Sequence, residues 1–190
     1  MDNKVIIIIN GQPTVGKDYL CKLGNDTYPS LVVSSVDKVK EAFEVLGWDG
    51  VTKTEAERLA MSDMKKISVR YNDGPTTYMI SKIKEFEKSE SLNILYFMIR
   101  EPEEIEHALE EFAKVTDIPV TTLIIRREDM EPKRDEVGLI KDSDINDSDR
   151  NVLEYRYRYT FYNKLDDPLV KARFTDLLTH IFSDMIDCTK

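Results

Sequence analysis

The chain has 190 residues, 41% hydrophobic and 33% charged, with 36 Asp and Glu against 27 Lys and Arg for a formal charge of −9. That length fits one domain with room for an insertion, and the composition supports a buried core. The acidic balance speaks against coating of DNA or RNA, whose phosphates would be repelled.

Val5–Ile9 is a continuous β-branched run, as a strand buried on both faces requires. It is too short for a signal-peptide core or a membrane span. Cys21 and Cys188 are too few for a disulfide framework or, alone, a zinc site. The expectation is a reduced, cytoplasmic chain without membrane contact.

Leu31–Val33 reads as a second strand. Val39, Ala42, Phe43 and Leu46 fall at helical spacing over 37–46, with Asp37 placed to cap and Gly47 to terminate. A long helix runs from Thr54 to about Tyr71, and Thr54 with Glu57 forms a capping-box pattern. Asp73-Gly74-Pro75 breaks the chain, and Pro75 suits the opening of another helix, with Met79, Ile83 and Phe86 on its apolar side. Leu92–Ile99 is a third strand. Pro102 opens a helix that carries Ile105, Ala108, Leu109 and Phe112. Thr121–Ile125 is a fourth strand. Residues 126–150 are polar without apolar periodicity and read as a mobile excursion. A fifth strand is expected over 156–162, and a last helix, capped at Asp167-Pro168, buries Val170, Phe174, Leu177, Ile181 and Met185. Strands alternating with helices predict a three-layer α/β domain with about five parallel strands.

The strongest chemical signal is Gly11-Gln12-Pro13-Thr14-Val15-Gly16-Lys17-Asp18, which fits G-x-x-x-x-G-K, the Walker A pattern, one residue short of its closing Ser or Thr. It follows a buried strand and precedes a short helix. Small residues let the backbone wrap an anion, the helix start adds its positive end, and Lys17 adds a full charge for the β- and γ-phosphates.

Three further stretches follow in order: Ser35-Val36-Asp37-Lys38-Val39-Lys40-Glu41, Arg100-Glu101-Pro102-Glu103-Glu104 and Tyr159-Thr160-Phe161-Tyr162-Asn163. With Gly16-Lys17-Asp18 they resemble P-loop nucleotide kinases, in particular the phage-type deoxynucleoside monophosphate kinases and the animal-type phosphomevalonate kinases. Lys40 takes the lysine position of the acceptor-side segment, and Asn163 takes the asparagine that closes the last strand. The resemblance implies one P-loop kinase domain over 1–190, with an acceptor-side helical insertion at about 37–90 and a lid at about 127–150.

It further implies an ATP–Mg²⁺ donor and a small phosphorylated acceptor, most simply a nucleoside or deoxynucleoside monophosphate. ATP would be held by Gly11, Gln12, Thr14, Val15, Gly16, Lys17, Asp18, Tyr19 and Asn163. Lys17, Arg100 and Arg126 or Arg127 would neutralise the transferring group, with lid arginines Arg134 and Arg150 closing over it. Ser35, Asp37 and Lys40 would face the acceptor. The chain departs from the family pattern at Tyr19, where Thr is usual, at Met98, where an acid is frequent, and at Arg158, where the strand usually opens on Asp. Asp18 is therefore the main metal candidate, with Glu101 second. Two other readings remain: a nucleotide-binding module with little transfer activity, and a kinase of a non-nucleotide phosphorylated metabolite. Oligomeric state is not legible.

Other constellations have plainer readings. Asp142–Asp147 lacks the Gly and the final Glu that a calcium loop needs, so it reads as a solvated loop. Tyr155, Tyr157, Tyr159 and Phe161 alternate with Arg156 and Arg158, which any strand can do. Stacking on RNA is disfavoured by the net charge. His107 and His180 read as ordinary helix residues, and Cys21 as small packing.

Overall fold

The computed structural model describes residues 4–51, 54–130 and 147–187, with side chains described from Asn151 onward in the helix opening at Asp147 and up to Met185 in the last. The chain divides into two compact units, one formed by residues up to Val32 together with those from Glu90 on, the other by Val33–Ser89.

Five strands form one sheet: β1 (Val5–Asn10), β2 (Ser30–Ser34), β3 (Ile94–Met98), β4 (Val120–Arg126) and β5 (Tyr159–Tyr162), in the order β2-β3-β1-β4-β5. β1 runs parallel to β3 and β4, and β4 parallel to β5. The central place of β1 follows from its sequence: Val5 to Ile9 are all fully buried. Each such aliphatic side chain contributes about 1.5–3 kcal/mol by leaving water.

Alternation along the strands sorts two cores. Val5, Ile7, Ile9, Tyr96, Leu123 and Ile125 pack with Leu20 and Cys21 of α1 (Lys17–Asn25) and with Phe174, Leu178 and Ile181 of α7 (Val170–Asp187). On the other face, Phe97 meets Phe112 of α5 (Pro102–Phe112) at 5.0 Å between ring centroids. Ile124 there packs with Val152 and Leu153 of α6 (Asp147–Glu154). The result is the expected three-layer α/β fold.

The unit Val33–Ser89 contains α2 (Asp37–Val45), α3 (Glu55–Asn72) and α4 (Gly74–Lys88). The Thr54–Glu57 capping box is present in both directions. α3 and α4 are separated by a single residue, Asp73, in the left-handed region at φ 49°. Met61, Met79, Ile83 and Phe86 are buried. No helix among the described residues is long and apolar enough to cross a membrane.

Three local expectations are corrected. The polar run ending at Arg150 leads into α6, which begins at Asp147 and gains its stability from Val152 and Leu153, beyond the stretch that lacked periodicity. β5 begins at Tyr159 rather than 156, because Tyr157 turns towards β1 and only Tyr159 onward pairs with Leu123 and its successors. Asp37 does not cap α2: Val36 is the N-cap, and the Asp37 carboxylate instead accepts the upstream Ser34 N–H at 2.7 Å. The rest of the expected lid, including Arg134 and the Asp142–Asn146 run, lies outside the described residues, as does the Arg150 side chain.

Candidate functional site

The loop from Gly11 to Gly16 joins β1 to α1. Its curvature comes from three left-handed residues: Gly11 at φ 145°, Thr14 at φ 64° and Gly16 at φ 93°. A Cβ on Gly11 would stand 2.4 Å from the Ile125 carbonyl oxygen, so the first glycine is demanded by its backbone neighbour as well as by its dihedral. Val15 is fully buried and anchors the loop from below, while Pro13 and Thr14 are exposed. Gly16 is the N-cap of α1 and brings no side-chain cap. The first N–H groups of a helix have no intrahelical partner, so this end carries a partial positive charge open to an anion.

Lys17 Nζ donates to the Gly11 carbonyl at 2.7 Å and the Gln12 carbonyl at 2.9 Å. The cation therefore folds back along the loop instead of extending away from it. Asp18 and Tyr19 follow on the first turn, both exposed. Tyr19 is 53% exposed, so this bulky residue is not there to fill the core. Met98 packs against the core on the α1/α7 face and offers no oxygen.

Two asparagines hold the loop. Asn163 donates from Nδ2 to the Val15 carbonyl at 2.8 Å, and its backbone N–H donates to the Arg126 carbonyl at 2.8 Å. Asn10, only 3% exposed, accepts the Gly11 N–H at 2.8 Å and donates to the Arg100 carbonyl at 2.8 Å and to Tyr157 Oη at 2.7 Å. Asn10 and Tyr157 were not singled out as site residues from the sequence. The available signal was a lone amide closing an otherwise aliphatic strand.

The arginines differ in their surroundings. Arg100 follows β3 with an exposed side chain, its backbone tied to Asn10. Arg126 ends β4, half-buried. Arg127 forms a bidentate pair with Asp129, with Nε to Oδ1 at 2.9 Å, and its Nη1 also lies 3.4 Å from the Thr14 carbonyl. That pairing holds the Asp129 carboxyl below its ordinary range. The sequence-predicted Lys17, Asn163, Arg127 and the Arg100 backbone thus converge on one loop. An open cavity of about 400 Å³ beside Glu101 is lined by Glu101, Glu103, Glu154, Asn151 and Tyr155. Its carboxylates make it a poor receptor for a phosphate.

Cys21 is buried beneath the loop helix, and burial, with Asp18 adding, pushes its thiol up to about 12. It is a packing residue and not a nucleophile at neutral pH.

In the other unit, Ser35 is buried, and Lys40 Nζ pairs with Asp37 Oδ1 at 3.0 Å. The Asp37 carboxylate is thus shared between the Ser34 amide and Lys40.

No family model matches the chain, and no curated protein matches it. Solved structures do. A candidate kinase from Chloroflexus aurantiacus matches with a TM-score of 0.57 at 12% identity, over 96% of this chain and 98% of that one. The tunicamycin resistance protein of Deinococcus radiodurans matches with a TM-score of 0.54 at 11% identity, over 94% of this chain and 95% of that one. Likeness over nearly the full length of both chains establishes the shared fold, a three-layer α/β arrangement.

Proposed function

We propose that the protein is an ATP-dependent phosphotransferase acting on a small phosphorylated acceptor, most simply a nucleoside or deoxynucleoside monophosphate. The observation that carries this reading is the loop itself: a glycine-framed turn between a central strand and a helix N-terminus, with Lys17 Nζ folded over it. Those parts supply what phosphoryl transfer needs, which is anion binding, alignment and charge neutralisation.

In this reading the loop amides and Lys17 hold the donor phosphates, and Asn163 keeps the loop in shape. Asp18, exposed on the first turn of α1, offers carboxylate oxygens that fit a hard cation such as Mg²⁺, directly or through water. The ion would neutralise phosphoryl oxygens. Arg100 and either Arg126 or Arg127 add cationic charge for the transferring group. Ser35, Asp37 and Lys40 are assigned to the acceptor, and residues 127–150 to a lid.

The full-length likeness to a candidate kinase supports this reading. A coupled assay of ADP release, with a panel of nucleoside monophosphates and of other phosphorylated metabolites, tests it. Stimulation by one acceptor class is expected. Stimulation by none of them contradicts the transfer reading.

One observation favours a second reading, a nucleotide-binding module with little transfer activity. Tyr19 and Met98 place no metal-binding oxygen where the resembling families carry one. ATP–Mg²⁺ binding without acceptor-stimulated turnover is its signature.

A further inference from the structure

A primary amide has one acceptor oxygen and two N–H donors, and at Asn10 all three are used. The Gly11 backbone N–H can only donate, so Oδ1 faces it, at 2.8 Å. The Arg100 carbonyl can only accept, so Nδ2 faces it, at 2.8 Å. These two partners fix the amide orientation independently, because a flipped amide would set donor against donor and acceptor against acceptor. The remaining N–H of Nδ2 then points at Tyr157 Oη, 2.7 Å away.

Tyr157 therefore accepts from Asn10, and the single proton of its phenol is turned in another direction. The polarity of the chain is set at the first residue of the phosphate loop: Gly11 N–H to Asn10, then Asn10 N–H to Tyr157. Burial, opposed by the Asn10 hydrogen bond and the Arg126 charge, keeps the Tyr157 hydroxyl above the ordinary phenol range, so it retains that proton.

We infer that Tyr157 is a ligand-binding residue, whose hydroxyl, oriented by Asn10, donates a hydrogen bond to a phosphoryl oxygen held at the phosphate loop. The inference rests on the proposed nucleotide reading of that loop. Two observations and one chemical argument support the choice of ligand. The hydroxyl is one side chain away from Gly11, the residue that opens the loop. Its second neighbour through Asn10 is the backbone of Arg100, a residue assigned to the transferring group. An O–H donor aimed at an anion forms a charge-assisted bond without adding a charge of its own. Asn10 is the positioning residue, since it acts through Tyr157 and through the loop backbone.

The contrast with Tyr155 sharpens the assignment. The Tyr155 hydroxyl donates to the Glu106 carboxylate, so its proton is already committed within the protein. The two rings sit edge to face with centroids 4.8 Å apart, in the same short segment. They differ in what their hydroxyls can still offer.

The test is calorimetric titration of the full chain with ATP–Mg²⁺, comparing wild type, Tyr157→Phe and Tyr155→Phe. Tyr157→Phe should weaken binding about tenfold, the scale of one charge-assisted hydrogen bond. Tyr155→Phe should bind as wild type. Unchanged affinity in Tyr157→Phe, beside normal binding by wild type, overturns the donor role alone. Absence of binding by wild type overturns the nucleotide reading and the donor role with it. A second measurement needs no variant of Tyr157 that folds. In wild type labelled at tyrosine Cζ, the Tyr157 signal should move on addition of ATP–Mg²⁺ while that of Tyr155 stays. A stationary Tyr157 signal on a protein that binds ATP–Mg²⁺ contradicts the contact.

Discussion

The Asn163 side chain reaches across 148 positions of sequence to donate to the Val15 carbonyl at 2.8 Å, and its Nδ2 stands 2.5 Å from where a Cβ on Gly16 would be. The residue that follows β5 therefore clamps the Gly11–Gly16 loop at the point where α1 begins. A substitution at Gly16 meets two penalties there, a left-handed dihedral of 93° and the asparagine amide. Gly16→Ala should cost about 1–3 kcal/mol of stability and should weaken ATP–Mg²⁺ binding more than Asn163→Ala does. Urea denaturation and calorimetry on both variants check this ordering.

Cys21 gives a prediction for alkaline pH. Its folded thiol titrates near 12 against an ordinary value of 9.0, so between those values the folded state holds a proton that the unfolded state has lost. Stability therefore has this contribution intact below pH 9 and loses it as pH rises towards 12. Cys21→Ala should flatten that decline relative to wild type, measured by urea denaturation at pH 8 to 11. Native Cys21 should also resist alkylation at pH 8, as followed by mass spectrometry of its peptide. An equally steep decline in the variant contradicts the burial assignment.

Arg127 is held by the Asp129 carboxylate at the edge of the loop. If donor phosphates take that guanidinium, the carboxylate competes with them. Asp129→Asn should raise ATP–Mg²⁺ affinity by about threefold at low ionic strength, an effect that added salt diminishes. Arg127→Ala should lower the affinity. A loss of affinity in Asp129→Asn would instead mean that Asp129 holds Arg127 in a productive position.

Lys40 shares its charge with Asp37 at 3.0 Å, which leaves the ammonium ordered on the first turns of α2. Under the phosphotransferase reading, Lys40→Ala should raise the acceptor KM while ATP affinity stays within about twofold. Steady-state kinetics with the best acceptor from the panel, beside calorimetry with ATP, separates the two. A parallel loss in both parameters assigns Lys40 to stability.

The layer order and most elements were legible because periodicity and punctuation agreed. Val5–Ile9 could only be a central strand, and Thr54 with Glu57 marked a helix start that the backbone realises in full. The tight turn from Gly11 to Gly16 was legible because glycine at positions 11 and 16 answers a steric demand, here the Ile125 carbonyl and the Asn163 amide. What stayed hidden depended on tertiary partners. α6 is anchored by Val152 and Leu153 against Ile124, a contact no local pattern announces. Asp37 looked like a helix cap but bonds upstream to Ser34, since Val36 takes the cap position. Asn10 and Tyr157 lie 147 positions apart and share no motif, so only the fold brings them to 2.7 Å.

The most direct measurement is a calorimetric titration of wild type and Lys17→Ala with ATP in the presence of Mg²⁺. Lys17 is half-exposed, so its truncation empties no core position and the variant should keep the wild-type thermal midpoint within a few degrees. Loss of one fully charged phosphate contact should weaken binding at least tenfold. Wild-type binding that falls in this way is the predicted result. Equal affinities in the two proteins would contradict the assignment of Gly11–Lys17 as the phosphate-binding loop.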